Sequence, residues 1–193
     1  IIKAINQNLV IIRPNSGGYF YVNNNYITLD GLFLDAVNSN SGCMFIEFAN
    51  HHVTVKNGTL ANTLGTSGSS HGIIGGANNL LIQNNLFYNI DGAPPVGGFH
   101  DHAIYLNASD SIVEGNTFRD IPHGYAIHGY SGPSNSVVRR NRIYNILAAG
   151  ARPIGFYNGS NNLVYDNLIY NCGAGIEFNN QTSSHAYHNS FYG

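Results

Sequence analysis

A chain of 193 residues, 43% hydrophobic and only 9% charged, is long enough for one well-buried core and short for two, so it reads as a single domain over 1–193. With 29 Asn and 23 Gly set against two Lys, three Glu and one Met, the composition excludes a mainly helical fold, whose solvent faces need those scarce residues. The net charge of −2 has no basic block behind it, and no apolar run approaches the roughly 18 residues of a membrane span, so neither nucleic acid nor membrane insertion is expected.

In chain order, "IIKAINQNLVIIRP" (1 to 14) already reads as strand. It opens on Ile1 without an initiator Met, which suggests a processed product or an uncapped segment of a longer protein. From there two short templates alternate. One, apolar-x-x-Asn-x-apolar, appears as "IQNNLF" (82 to 87), "VEGNTF" (113 to 118), "VRRNRI" (138 to 143), "VYDNLI" (164 to 169) and "AYHNSF" (186 to 191), with Gly58 at the Asn place in "VKNGTL" (55 to 60). Its Asn residues, 85, 116, 141, 167 and 189, are separated by 31, 25, 26 and 22 residues. The other precedes it by about 12 to 14 residues: "FIEF" (45 to 48), "GIIG" (72 to 75), "AIYL" (103 to 106), "AIHG" (126 to 129), "PIGF" (153 to 156) and "GIEF" (175 to 178).

Both templates alternate with period two, as strands do, and a unit this short cannot bury its own apolar positions. It must stack on copies of itself, each strand pairing in parallel about 4.8 Å from its equivalent, with like residues in ladders. The expectation is an all-β parallel solenoid of about seven to eight coils with an Asn ladder at a recurring bend.

On these repeats the chain, from Tyr19 onward, resembles the right-handed parallel β-helix proteins of the pectate-lyase-like superfamily. The resemblance implies that the Asn ladder lies at the bend between the second and third sheets. It also implies that the "GI" strands form the first sheet, the floor of the substrate cleft in many members. The superfamily includes lyases, hydrolases, epimerases, tailspikes and adhesins, so fold alone names no chemistry.

Length varies mostly in the links before the "GI" strands, at 61 to 71, 89 to 102, 120 to 125 and 145 to 153. Sharing one coil position, these links should overhang one face and wall a groove. With each "GI" Ile inward, the next residue points out: Glu47, Ile74, Tyr105, His128, Gly155 and Glu177. Just before the same strands stand His71, His102, Tyr125 and Arg152, and "FHDH" adds His100 and Asp101.

His128, Tyr105, His102 and Asp101 are therefore the candidate catalytic residues, able to pass or orient a proton. Arg152, Tyr125, His100, Tyr130 and Glu177 are the candidate substrate-binding residues, Arg152 facing a uronate carboxylate and the tyrosines offering stacking faces. No metal is assigned: the first sheet carries no acidic cluster for calcium, and His100, His102 and His128 lack a recognised zinc spacing. Glu47 and Glu177 lie too far apart for the carboxylate pair of a glycoside hydrolase.

Glu114 with Arg139, and Arg140 with Asp166, are expected surface pairs, and Cys43 and Cys172 stand beyond disulfide reach. Two functions fit. One is a secreted or cell-surface protein that binds an acidic polysaccharide and acts on it as a lyase or epimerase. The other is a non-catalytic structural or adhesive solenoid whose uncapped ends self-associate end to end.

Overall fold

The computed structural model describes residues 1–6, 9–15, 18–37, 39, 41–65, 70–92, 100–147 and 150–193. Among these, three parallel sheets of eight, eight and seven strands account for all the strands, and the chain visits the sheets in turn. No helix is long and apolar enough to cross a membrane among the described residues.

Each sheet exists because one apolar position per coil recurs in register. In the second sheet the ladder runs Leu29, Val55, Ile82, Val113, Val138 and Val164. In the third it runs Leu34, Leu60, Phe87, Phe118, Ile143 and Ile169. The first sheet contributes Met44, Ile73, Ile104, Ile127, Ile154 and Ile176. Most of these side chains are shielded from solvent, and each full burial is worth about 1.5–3 kcal/mol. Phe87 and Phe118 stack at 4.8 Å, which fills the bore where two coils carry their largest residues.

The Asn ladder lies where the second sheet turns into the third. Its side-chain Oδ1 atoms accept backbone N–H bonds from the preceding coil: Gly58 to Asn85, Asn85 to Asn116, Asn116 to Asn141, Asn141 to Asn167 and Asn167 to Asn189, at 2.9–3.0 Å. The Nδ2 atoms of Asn85, Asn116 and Asn141 donate to carbonyls of that same preceding coil, Val55, Ile82 and Val113, each at 2.9 Å. A buried bend thus has its polar groups satisfied by one side chain per coil.

The remaining Asn residues have a second use. Among the described residues, 20 non-glycine positions have left-handed φ, and most are Asn or Asp, the side chains that tolerate it best. They stand at the outer corners and bond coil to coil, as Asn145 Nδ2 does to Asp120 Oδ1 at 2.8 Å and Asn171 Nδ2 to Asn145 Oδ1 at 2.7 Å.

Two expectations need correction. The outward position before Ile74 is held by Phe45, not Glu47, because Met44–Ile46 pairs with Ile73–Gly75; Glu47 follows the strand and accepts from the Tyr21 hydroxyl. Glu114 does pair with Arg139, at 2.7 Å, but Arg140 and Asp166 form no ion pair with each other among the described residues. Asp166 Oδ1 instead lies 4.0 Å from His188 Nδ1, one coil further on. Cys43 and Cys172 are free.

Candidate functional site

The first sheet comprises Phe20–Val22, Gly42–Ile46, His71–Gly75, His102–Leu106, Ile127–Gly129, Ile154–Tyr157 and Ile176–Asn179. Its pairing sets Ile74, Tyr105, His128, Gly155 and Glu177 in one outward ladder. Gly155 leaves a gap in that ladder, and the Tyr125 ring fills it: a Cβ there would lie 2.9 Å from Tyr125 Cε2.

His128 is the centre of the cluster. Its ring lies 4.3 Å from His102, 4.6 Å from Tyr125, 5.2 Å from Tyr157, 5.3 Å from Tyr105 and 5.4 Å from Tyr130. Its Nδ1 is 2.9 Å from His102 Nε2, and His102 Nδ1 accepts the backbone N–H of Tyr125 at 3.1 Å. Beside this pair, the Tyr125 hydroxyl lies 3.0 Å from that of Tyr157, which donates to Glu177 Oε2 at 2.8 Å. Arg152 Nε lies 3.2 Å from the same oxygen.

The electrostatics favour neutral rings. Burial, then charge on His100, holds His128 down to about 4, although Glu177 pulls the other way. Burial pushes His71 down to about 3, with His128 and His100 adding to it. His102 falls well below the usual imidazole range, again chiefly through burial. Burial and the neighbouring Tyr130 raise Tyr105, and burial with bonds to Tyr125 and Glu177 raises Tyr157.

Of the nine expected site residues, the structure gathers His128, Tyr105, Tyr130, His102, Tyr125, Arg152 and Glu177 on one face. His100 is exposed nearby, close enough to influence both His102 and His128. Several expected roles change. His102 is 1% exposed and lies beneath His128, with its Nε2 2.9 Å from His128 Nδ1, so little of its own ring is open to a ligand. Tyr125 is also buried, its hydroxyl committed to Tyr157, so it is no stacking platform. Arg152 is paired with Glu177, which offsets the charge expected to meet a uronate and occupies the acid.

Asp101 does not stand in the open beside the rings. It is fully buried, accepts the Ser70 backbone N–H at 2.8 Å, and groups with Asp91 and His123. Successive residues of an extended chain point to opposite sides, which separates Asp101 from His102. Among the described residues, Asp91, Asp101 and His123 form the one group with metal-ligating atoms within 4.8 Å of one another, and His100, His102 and His128 do not form such a group. His123 Nδ1 already lies 2.8 Å from Asp91 Oδ1.

Sequence reasoning missed Tyr157, although it shares outward parity with Gly155 and follows it by two residues. The links expected to wall a groove, at 61 to 71, 89 to 102 and 145 to 153, fall partly outside the described residues, at 66–69, 93–99 and 148–149. A cavity of about 690 Å³ lies away from the rings, along the corner after the third sheet, where Asn62, Asn89, Asp91, Asp120 and Leu147 line it.

The family model described as a right-handed beta helix region matches residues 3–191. No curated protein matches the chain. Two solved structures are similar to the chain at low identity. An alginate lyase from Paenibacillus sp. str. FPU-7 is 15% identical, with a TM-score of 0.44 over 91% of this chain and 75% of that one. The Streptococcus pneumoniae surface protein and adhesin PfbA is also 15% identical, with a TM-score of 0.34 over 96% of this chain and 67% of that one.

Proposed function

Since the chain belongs to the right-handed β-helix family, in which fold does not fix chemistry, we propose from its ring-lined face that it binds an acidic polysaccharide and acts on it as a lyase or epimerase. The observation that carries this reading is the donor character of that face. Tyr105 and Tyr130 are partly or well exposed phenols beside His128, while the one carboxylate, Glu177, already accepts from Tyr157 and pairs with Arg152. A face that mainly donates hydrogen bonds suits a ligand rich in acceptor oxygens, and a uronate polymer supplies carboxylates and hydroxyls at every unit. Such a polymer is met outside the cell, which is why the reading includes a secreted or cell-surface protein.

In the lyase or epimerase step, Tyr105 takes the proton next to the uronate carboxylate while the neighbouring donors hold the charge that develops on it. Tyr105 acts as the phenolate: in elimination the freed electron pair expels the glycosidic oxygen, which takes the proton that Tyr105 has gained; in epimerisation water reprotonates the carbon from the other face and Tyr105 returns its proton to solvent. Because burial raises Tyr105, turnover should increase as pH rises above neutrality.

A panel of uronate and neutral glycans, assayed for binding and for new unsaturated ends, tests the reading. Tyr105→Phe and His128→Ala should each reduce turnover about a hundredfold, while Arg152→Ala should mainly weaken binding. A parent protein that neither binds nor alters any uronate polymer removes the enzyme reading. In its place stands a structural or adhesive solenoid, favoured by the exposed apolar side chains of the end coils, Ile5, Leu9 and Tyr192 among them.

A further inference from the structure

We propose that His102 and His128 form a proton-locked pair, so that His128 meets its ligand as a fixed neutral N–H donor at Nε2 and not as a base. This rests on the glycan reading only for the identity of the acceptor, a uronate carboxylate. The placement of the protons follows from the geometry of the chain.

The argument begins at a backbone amide. Tyr125 N–H donates to His102 Nδ1 at 3.1 Å, and an amide nitrogen can only donate, so His102 Nδ1 must offer its lone pair. A neutral imidazole carries one N–H, which places the His102 proton on Nε2. That N–H faces His128 Nδ1 at 2.9 Å, so His128 Nδ1 accepts in its turn. The proton of His128 is left on Nε2, which bonds no other group among the described residues.

The same device appears one coil earlier, where the backbone N–H of His102 reaches His71 Nδ1 at 3.4 Å. The His102 amide opens a first-sheet strand and the Tyr125 amide stands two residues before one, and at each an imidazole in the neighbouring coil supplies the acceptor. Histidine suits this position because its second nitrogen can pass the constraint outward. Gln or Asn could accept the amide but would not fix the next ring.

Charging either ring breaks the arrangement. A second proton on His128 would sit at Nδ1, against the N–H of His102, and one on His102 would sit at its Nδ1, against the N–H of Tyr125. The groups facing His128 are His102 and Tyr105 from one neighbouring coil, Tyr125 and Tyr130 beside its own strand, Tyr157, Arg152 and Glu177 beyond, and exposed His100. Among them Glu177 favours a cation, but Tyr157 and Arg152 already engage it. The pair therefore stays neutral through ordinary pH, in line with the downward push of burial on both rings.

The consequence is selectivity. A carboxylate or carbonyl oxygen finds a donor whose proton cannot move away, whereas the ammonium of a cationic amino sugar finds no lone pair on His128.

The test is the long-range 1H–15N spectrum of the imidazoles in 15N-labelled protein without ligand, followed from about pH 8 to about pH 5. His128, assigned by the signal lost in His128→Asn, should show a bare Nδ1 and a protonated Nε2, with no titration near the usual value of about 6.5. A protonated Nδ1, or a titration near that value, overturns the pair. His102→Phe should release His128 into a mixture of tautomers and raise its titration; an unchanged His128 would overturn the role of His102, and if this variant does not fold the parent spectrum decides alone. An oligogalacturonate added to the parent separates the two ideas. Locked protons with no response at His128 sink the glycan reading and leave the pair, while a response from a ring protonated at Nδ1 sinks the pair and leaves the glycan reading.

Discussion

The buried imidazoles decide, residue by residue, how this protein meets acid. His71 is held down to about 3 and His128 to about 4, while His102 lies well below its usual value, burial being the first cause in each case. In the unfolded chain all three take up protons near about pH 6.5. Between that value and about pH 4 the unfolded state therefore binds more protons than the folded one, and stability falls as pH falls. Above about 6.5 both states are neutral and the effect vanishes. Three groups give a slope of up to about 4 kcal/mol per pH unit, since each proton contributes about 1.36. Asp35 acts lower on the scale: burial raises its carboxyl, but bonds from Asn62 and Arg13 outweigh that and hold it down, so its contribution is lost only below about pH 4. Urea midpoints should be flat from about pH 8 to 7 and then drop steeply towards pH 5. Midpoints that stay level down to pH 5 would show that these rings charge freely in the fold.

Among the elements, the two kinds of Asn corner should respond differently to substitution. Asn141 makes four kinds of bond at once: its Oδ1 accepts from the backbone and side-chain amides of Asn116, and its Nδ2 donates to Val113 O and Asn167 Oδ1. Asn141→Leu leaves a buried carbonyl and a buried N–H unpaired, and should cost about 3 kcal/mol or more. Asn135 is an exposed corner with φ of 56° whose Nδ2 reaches Asp110, and Asn135→Gly keeps the backbone conformation at a cost of about 1 kcal/mol or less. Equal losses in melting experiments would contradict the division. The interior ladder was legible in the sequence because a bend that must hydrogen-bond to its copies keeps one residue type at a regular spacing. The phase of the strand at 42–46 was not, because alternation has period two: "FIEF" fits the template as well as "MFI" does, and only pairing with Ile73–Gly75 distinguishes them. The ring face was half legible for a related reason. Parity sends His128 and Tyr105 outward, but it says nothing of the rings that cover His102 and Tyr125, or of the Arg152–Glu177 pair that forms between coils.

For the molecule as a whole, parallel stacking that never closes on itself leaves two unlike ends in the 193-residue polypeptide. One presents the strands Ile2–Lys3 and Ile11–Ile12 with exposed Ile1, Ile5 and Leu9, and the other His185–Tyr187 and Ser190–Tyr192 with exposed Phe191 and Tyr192. Each end carries unpaired strand groups beside apolar side chains, the combination that recruits another strand edge. Because the two ends differ, any contact between copies of this polypeptide through them would be head to tail and would not close, so the expectation is rods instead of a dimer. The register also identifies which groups are open. Val10 O accepts the Phe33 N–H, so Val10 faces the next coil, and along a strand the polar groups of alternate residues point to opposite sides. Ile11 therefore aims its N–H away from the molecule, and Ile11→Pro removes an edge donor without breaking an internal bond. Sedimentation velocity of the parent should show a coefficient that climbs with concentration, and Ile11→Pro should flatten that climb while leaving the melting midpoint nearly unchanged. A parent that stays monomeric at every concentration would mean that the exposed edges are too short, or too well guarded by Lys3 and Arg13, to hold a second copy.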